Sequence, residues 1–187
     1  NMQHKKILTQ GGMVHYWISR NENAADCIVF THGVTADHTM FEQQVSYFYG
    51  NYTIILWDVP MHGLSRPYQG FSYHNTAEIL RDILRQEKIK KIFLVGMSMG
   101  GYPSQHFASI YPDMVKGFIA LDTTPLGLIY YSKSDLWWLK RAVLMAECFS
   151  THILKVSMAW SVSKRKYSFQ KMMSMLEPLS KTDIIDQ

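Results

Sequence analysis

Apolar and polar positions along the chain follow two rhythms. Lys6-Ile7-Leu8-Thr9 and Met13-Val14-His15-Tyr16-Trp17-Ile18 flank Gly11-Gly12 and read as a hairpin. Four short, nearly unbroken apolar runs follow: Cys27-Ile28-Val29-Phe30, Thr53-Ile54-Ile55-Leu56-Trp57, Lys91-Ile92-Phe93-Leu94-Val95 and Val115-Lys116-Gly117-Phe118-Ile119-Ala120-Leu121. Such runs suit strands buried on both faces of a parallel sheet. Between them the period lengthens to that of a helix. Phe41, Val45 and Phe48 are one set; Ile79, Leu80, Ile83 and Leu84, behind an expected cap at Asn75 or Thr76, are another. A third helix is expected after Gly100-Gly101, stopping near Tyr111-Pro112. Strand, helix, strand, repeated, predicts an α/β fold: a mostly parallel sheet with flanking helices and right-handed crossovers.

The rhythm changes after Pro125. Residues 127–180 hold no strand pattern but carry Leu136, Leu139, Val143, Leu144, Ile153, Val156 and Trp160 at helical spacing. Two domains are expected: an α/β part at 1–126 and a helical part at 127–187, lying over one end of the sheet.

Composition narrows the classes. With 187 residues, 47% hydrophobic and 18% charged, the chain is long enough for a sizeable core and is not of disordered type. No apolar run reaches the roughly 18 residues of a membrane span. Asn1-Met2-Gln3-His4-Lys5-Lys6 leads into no apolar stretch of the secretory kind, and the Asn before Met2 reads as a tag remnant. Cys27 and Cys148 are too few for a disulfide framework and are expected to be reduced packing residues in a cytoplasmic protein. The net charge of +4 falls wholly in residues 127–187, which hold nine Lys/Arg against five Asp/Glu. A basic patch could meet an anionic ligand or a membrane surface, but a solvated helix face is the preferred reading. No nucleic-acid motif is present. Nor is there histidine spacing for a metal or a Gly-rich nucleotide loop, so no metal and no cofactor are expected.

Three stretches carry chemistry. Gly96-Met97-Ser98-Met99-Gly100-Gly101 follows a strand and precedes a helix, the setting of a nucleophile elbow. The turn strains the nucleophile's backbone and demands small residues two positions either side, which Gly96 and Gly100 supply. Thr31-His32-Gly33-Val34 ends another strand, and its loop can offer the Val34 N–H to an oxyanion beside the N–H of Met99. His32 is read as a brace for that loop rather than a general base. In Trp57-Asp58-Val59-Pro60-Met61-His62-Gly63-Leu64-Ser65-Arg66-Pro67, Asp58 is a candidate carboxylate, although a loop-holding role is preferred.

These motifs, in this order and spacing, resemble the α/β-hydrolase superfamily, in particular its cap-bearing esterases, lipases and C–C hydrolases. The likeness covers about residues 6–126 closely and puts residues 127–180 at the cap position. One departure is Met61, where the family usually has Gly. The resemblance implies that Ser98 is the nucleophile of a hydrolase for a small acyl compound and that Val34 and Met99 form the oxyanion hole; Tyr130, Tyr131, Trp137, Trp138 and Trp160 are expected among the cap's pocket-lining residues, which suits an apolar substrate. It also implies an acid and a histidine later in the chain. After Ser98 stand only His106 and His152, neither in a loop after a strand; Asp122, at a strand end, is the candidate acid. The family's sheet has more strands than the six countable here. The catalytic histidine is therefore expected beyond Gln187, and the strand at 115–121 is expected to be an exposed apolar edge. A non-catalytic binding protein on the same scaffold stays open as the rival reading.

Overall fold

The structure is a computed structural model that describes residues 2–162 and 165–187, apart from the side chains of Leu128 and Val143. Val143, one of the helical-pattern positions, therefore lies outside the described side chains. The chain forms two compact units, Asn1–Leu126 and Gly127–Gln187.

The first unit is built on one six-stranded sheet in the order β1-β2-β4-β3-β5-β6. The strands are β1 (Gln3–Leu8), β2 (Met13–Ser19), β3 (Cys27–Thr31), β4 (Thr53–Trp57), β5 (Ile92–Met97) and β6 (Val115–Leu121). β1, β2 and β4 pair antiparallel, while β4, β3, β5 and β6 run parallel. The helices are α1 (Glu42–Phe48), α2 (Tyr73–Gln86) and α3 (Gly101–Ile110). β3 and β4 are buried at every position, as their unbroken apolar runs require. Alternate residues feed two cores. Val29, Ile55, Trp57 and Leu94 pack with Leu80, Ile83 and Leu84 of α2 and Phe107 of α3. Ile28, Phe30, Ile54, Leu56 and Val95 pack with Phe41, and with Val45 and Phe48 of α1.

Two details differ from the pattern-based expectation. The cap of α2 is Ser72, whose side chain accepts the Asn75 N–H. Asn75 and Thr76 are held otherwise: Thr76 is buried and its hydroxyl donates to Ser72 O, while the Asn75 amide donates to Gly70 O. β6 is not buried on both faces. It is one of the sheet's two outer strands, and Ile119 is 53% and Leu121 38% exposed, the apolar edge expected from the resemblance. The carboxylate of Glu87, just after α2, ties that helix to the hairpin by accepting from Lys5, Arg20 and the Tyr16 hydroxyl. Burial works to raise its pKa, but these hydrogen bonds hold it below the usual carboxylate range.

The second unit is helical: α4 (Lys133–Glu147), α5 (Thr151–Val162), α6 (Lys166–Leu176) and α7 (Lys181–Asp186). Reciprocal Ser–Asp capping boxes start α4 (Ser132, Asp135) and α7 (Ser180, Asp183). α5 packs on α6, and Leu154, Ala159, Met172, Met175 and Leu176 are their buried side chains. Tyr130, Trp137, Trp138 and Trp160 are exposed. Both cysteines are free thiols, but only Cys27 is a packing residue; Cys148 is exposed at the end of α4. Among the described residues no helix is long and apolar enough to cross a membrane.

Candidate active site

β5 ends at Met97, and the next residue, Ser98, has φ +50°. A 3-10 turn, Ser98–Gly100, then runs into α3. Left-handed backbone costs an L-residue about 1–2 kcal/mol, so the surroundings must impose it. The glycines do so by allowing backbone to meet backbone. A Cβ on Gly100 would lie 2.3 Å from His32 O and 2.4 Å from Thr31 O; one on Gly96 would lie 2.8 Å from Gly100 O. The close approach locks the turn against the end of β3. Ser98 is left half-buried, and its hydroxyl has no hydrogen-bond partner among the described residues.

The loop after β3 comes to the same place because β3 and β5 are sheet neighbours, with Thr31 opposite Gly96. A Cβ on Gly33 would sit 3.4 Å from Ser98 Cβ and 4.0 Å from its Oγ. The Val34 N–H has no acceptor among the described residues. Met99, the residue after Ser98, lies in the first turn of the helix, where N–H groups lack intrahelical partners. His32 is fully buried. Its Nδ1 is 2.7 Å from Gly33 O and its Nε2 accepts the Val59 N–H at 3.0 Å, so the ring braces one loop against the other. Burial holds its pKa below the ordinary histidine value, against the pull of Asp58.

Asp58 is also fully buried. Oδ1 accepts from the His38 N–H at 2.7 Å and from His38 Nδ1 at 2.8 Å, and Oδ2 accepts from the Leu64 N–H at 2.7 Å. Desolvation pushes its pKa up, yet the His38 hydrogen bond and the nearby histidines bring it below the usual value. The arrangement is a latch between the 58–65 turn and the segment after the β3 loop. His38 was not legible in the sequence as a partner of Asp58. It stacks on Trp17 of β2 at 3.4 Å between ring centroids, a contact set by sheet order rather than by spacing. Asp37, His38 and Asp58 are the one described cluster of metal-ligand type. Both Asp58 oxygens already accept N–H groups, which favours the latch over an ion.

Of the other candidates, Asp122 shares the sheet end of Ser98. Asp122 has φ +47° and follows Leu121, which pairs with Met97, so it stands beside Ser98 at the same sheet end, exposed. His106 lies within α3 and pairs with His74 of α2 at 3.1 Å. His152 belongs to α5 in the second unit. His62 is buried, its Nδ1 is 3.1 Å from Pro60 O, and desolvation pushes its pKa down to about 3.

The sequence model for the alpha/beta hydrolase fold matches residues 26–152. A 2-(acetamidomethylene)succinate hydrolase from Mesorhizobium japonicum is 31% identical over 107 residues, 57% of this chain and 38% of the relative. The 3-oxoadipate enol-lactonase 1 of Acinetobacter baylyi is 34% identical over 92 residues, 49% of this chain and 34% of the relative. The chain thus spans well under half the length of these curated relatives. A hydrolase from Pseudomonas aeruginosa superposes with TM-score 0.78 at 15% identity, covering 97% of this chain and 69% of that one. A thermophilic esterase from Thermogutta terrifontis superposes with TM-score 0.73 at 20% identity, covering 98% and 70%.

Proposed function

Because the chain belongs to the alpha/beta hydrolase fold family, we propose that Ser98 is the nucleophile of a serine hydrolase acting on a small, apolar ester, thioester or related acyl compound. The observation that carries this reading is the left-handed Ser98 at the strand-to-helix turn, with Gly33 against it. A binding protein has no need of such strain at a serine. Ser98 Oγ attacks the carbonyl carbon, the carbonyl π electrons move onto oxygen, and the N–H groups of Val34 and Met99 hold the resulting oxyanion. A histidine takes the serine proton and returns it to the leaving group.

That histidine is assigned to polypeptide outside these 187 residues. No imidazole bonds Ser98 Oγ among the described residues, and the exposed outer edge of β6 suits a further strand. Asp122 is retained as the candidate acid. Residues 127–187, in which Tyr130, Trp137, Trp138 and Trp160 are exposed, are read as the helical cap. The relatives' names, a hydrolase and an enol-lactonase, support acyl-bond chemistry without fixing the substrate.

The unpartnered Ser98 hydroxyl also fits the rival reading, a binding protein without catalysis. Labelling of the full-length protein with a fluorophosphonate separates the two. Labelling that disappears in Ser98→Ala is expected; a full-length protein that does not label is a binder.

A further inference from the structure

We propose that His32 is a positioning residue that aims the Val34 N–H by holding the opposite end of the same peptide group; this rests on the reading of Ser98 as nucleophile. In a planar trans peptide the C=O and N–H point in opposite directions, so fixing one fixes the other. The peptide that offers the Val34 N–H carries the Gly33 carbonyl. That carbonyl accepts from His32 Nδ1 at 2.7 Å and from the Ala36 N–H at 3.3 Å.

The ring itself is immobilised. Its Nε2 accepts the Val59 N–H at 3.0 Å, so Nδ1 must carry the proton in a neutral imidazole. Both ends are engaged on backbone from different loops, and the side chain is fully buried. Rotation of the Gly33–Val34 peptide would break the short bond to Nδ1 with no water to replace it. The second donor is held the same way: the carbonyl of Ser98, in the peptide that offers the Met99 N–H, accepts the Gly101 N–H. A donor on the carbonyl also polarises the peptide and strengthens its N–H as a donor. An ordinary brace could land on any backbone group of the loop; this one lands on the carbonyl that governs the oxyanion donor.

The test compares two conservative variants of the full-length protein. His32→Asn keeps a donor near Nδ1 and loses the link to Val59. His32→Gln places its amide near Nε2 and loses the hold on Gly33. Hydrolysis of p-nitrophenyl acetate and melting temperature are measured for both. The two variants are expected to lose similar thermal stability, each missing one hydrogen bond. In His32→Gln, kcat is expected to fall about tenfold or more with KM little changed, while His32→Asn stays within about threefold of the parent. Equal losses of kcat in both variants would overturn the positioning role and leave the nucleophile reading intact. A parent protein without Ser98-dependent turnover would remove both.

If either variant fails to fold, NMR of the parent decides. Phosphonylation of Ser98 should shift the Val34 and Met99 amide signals downfield, and the His32 Nδ1 proton should exchange slowly. A Val34 signal that does not move overturns the proposal.

Discussion

Met61 has φ +72°, in a turn where its N–H donates to Ser65 O and the His62 N–H donates to Val59 O. Left-handed backbone costs a methionine about 1–2 kcal/mol, whereas glycine adopts it freely but gives back about 0.5–1 kcal/mol in unfolded-chain entropy. Met61→Gly is therefore expected to stabilise the protein by about 0.5–1 kcal/mol, read as a higher urea midpoint. At this scale the elbow was legible because its constraint is local: small residues at fixed offsets from Ser98. The same is true of His32, which braces its own loop. His38 was not legible. Its roles depend on Trp17 and Asp58, which sheet order brings to it from other strands.

Elements whose limits are set by their own residues were read well from the pattern, as β4 and β6 were. α2 was read short at its start. Asn75 and Thr76 are both good caps in isolation, but the turn at Gly70 places Ser72 at the helix entrance. The apolar run of β6 taken alone suggests two covered faces, which holds only for a strand with neighbours on both sides; the exposed edge follows once the strand count of the resembled family is set beside it. Its outer edge presents unpaired backbone beside Ile119 and Leu121. Such an edge templates pairing with another chain, and a charge on it is the usual remedy. The 187-residue protein is expected to self-associate at micromolar concentration, and Ile119→Lys to shift it toward monomer in light scattering. No difference between parent and variant would show that β6 does not mediate association.

For the whole molecule, acid is the natural stress. His62, with a folded pKa of about 3, and His32, also lowered, are neutral in the folded state. Unfolded histidine titrates near 6.5. Between the two values the unfolded chain binds the extra proton, so the contribution of these groups is complete above about pH 6.5 and is lost as pH falls. For His62 the loss is about 1.4 kcal/mol per pH unit across that window, and His32 adds a loss of the same sign. Asp58 and Glu87, both lowered, add a further loss at pH below the ordinary carboxylate range. Urea midpoints at pH 7.5 and 5.5 should show the decline, and His62→Asn should flatten it. A parent protein equally stable at both values would contradict the burial of both rings.

The elbow and the Gly33 loop touch because β3 and β5 are adjacent, although β4 and α2 lie between them along the chain. Neither half is completed by local contacts alone, since Gly100 packs on the backbone of Thr31 and His32. The chain has both to place β4 on one side of β3 and to close the long crossover that brings β5 to the other. Contacts of such sequence separation form slowly. During refolding, helices and the β1–β2 hairpin can therefore be present while Ser98 has no strained turn and no facing amide. On the proposed reading of Ser98 as nucleophile, fluorophosphonate labelling of this serine during refolding is expected to appear only once β3 and β5 have paired.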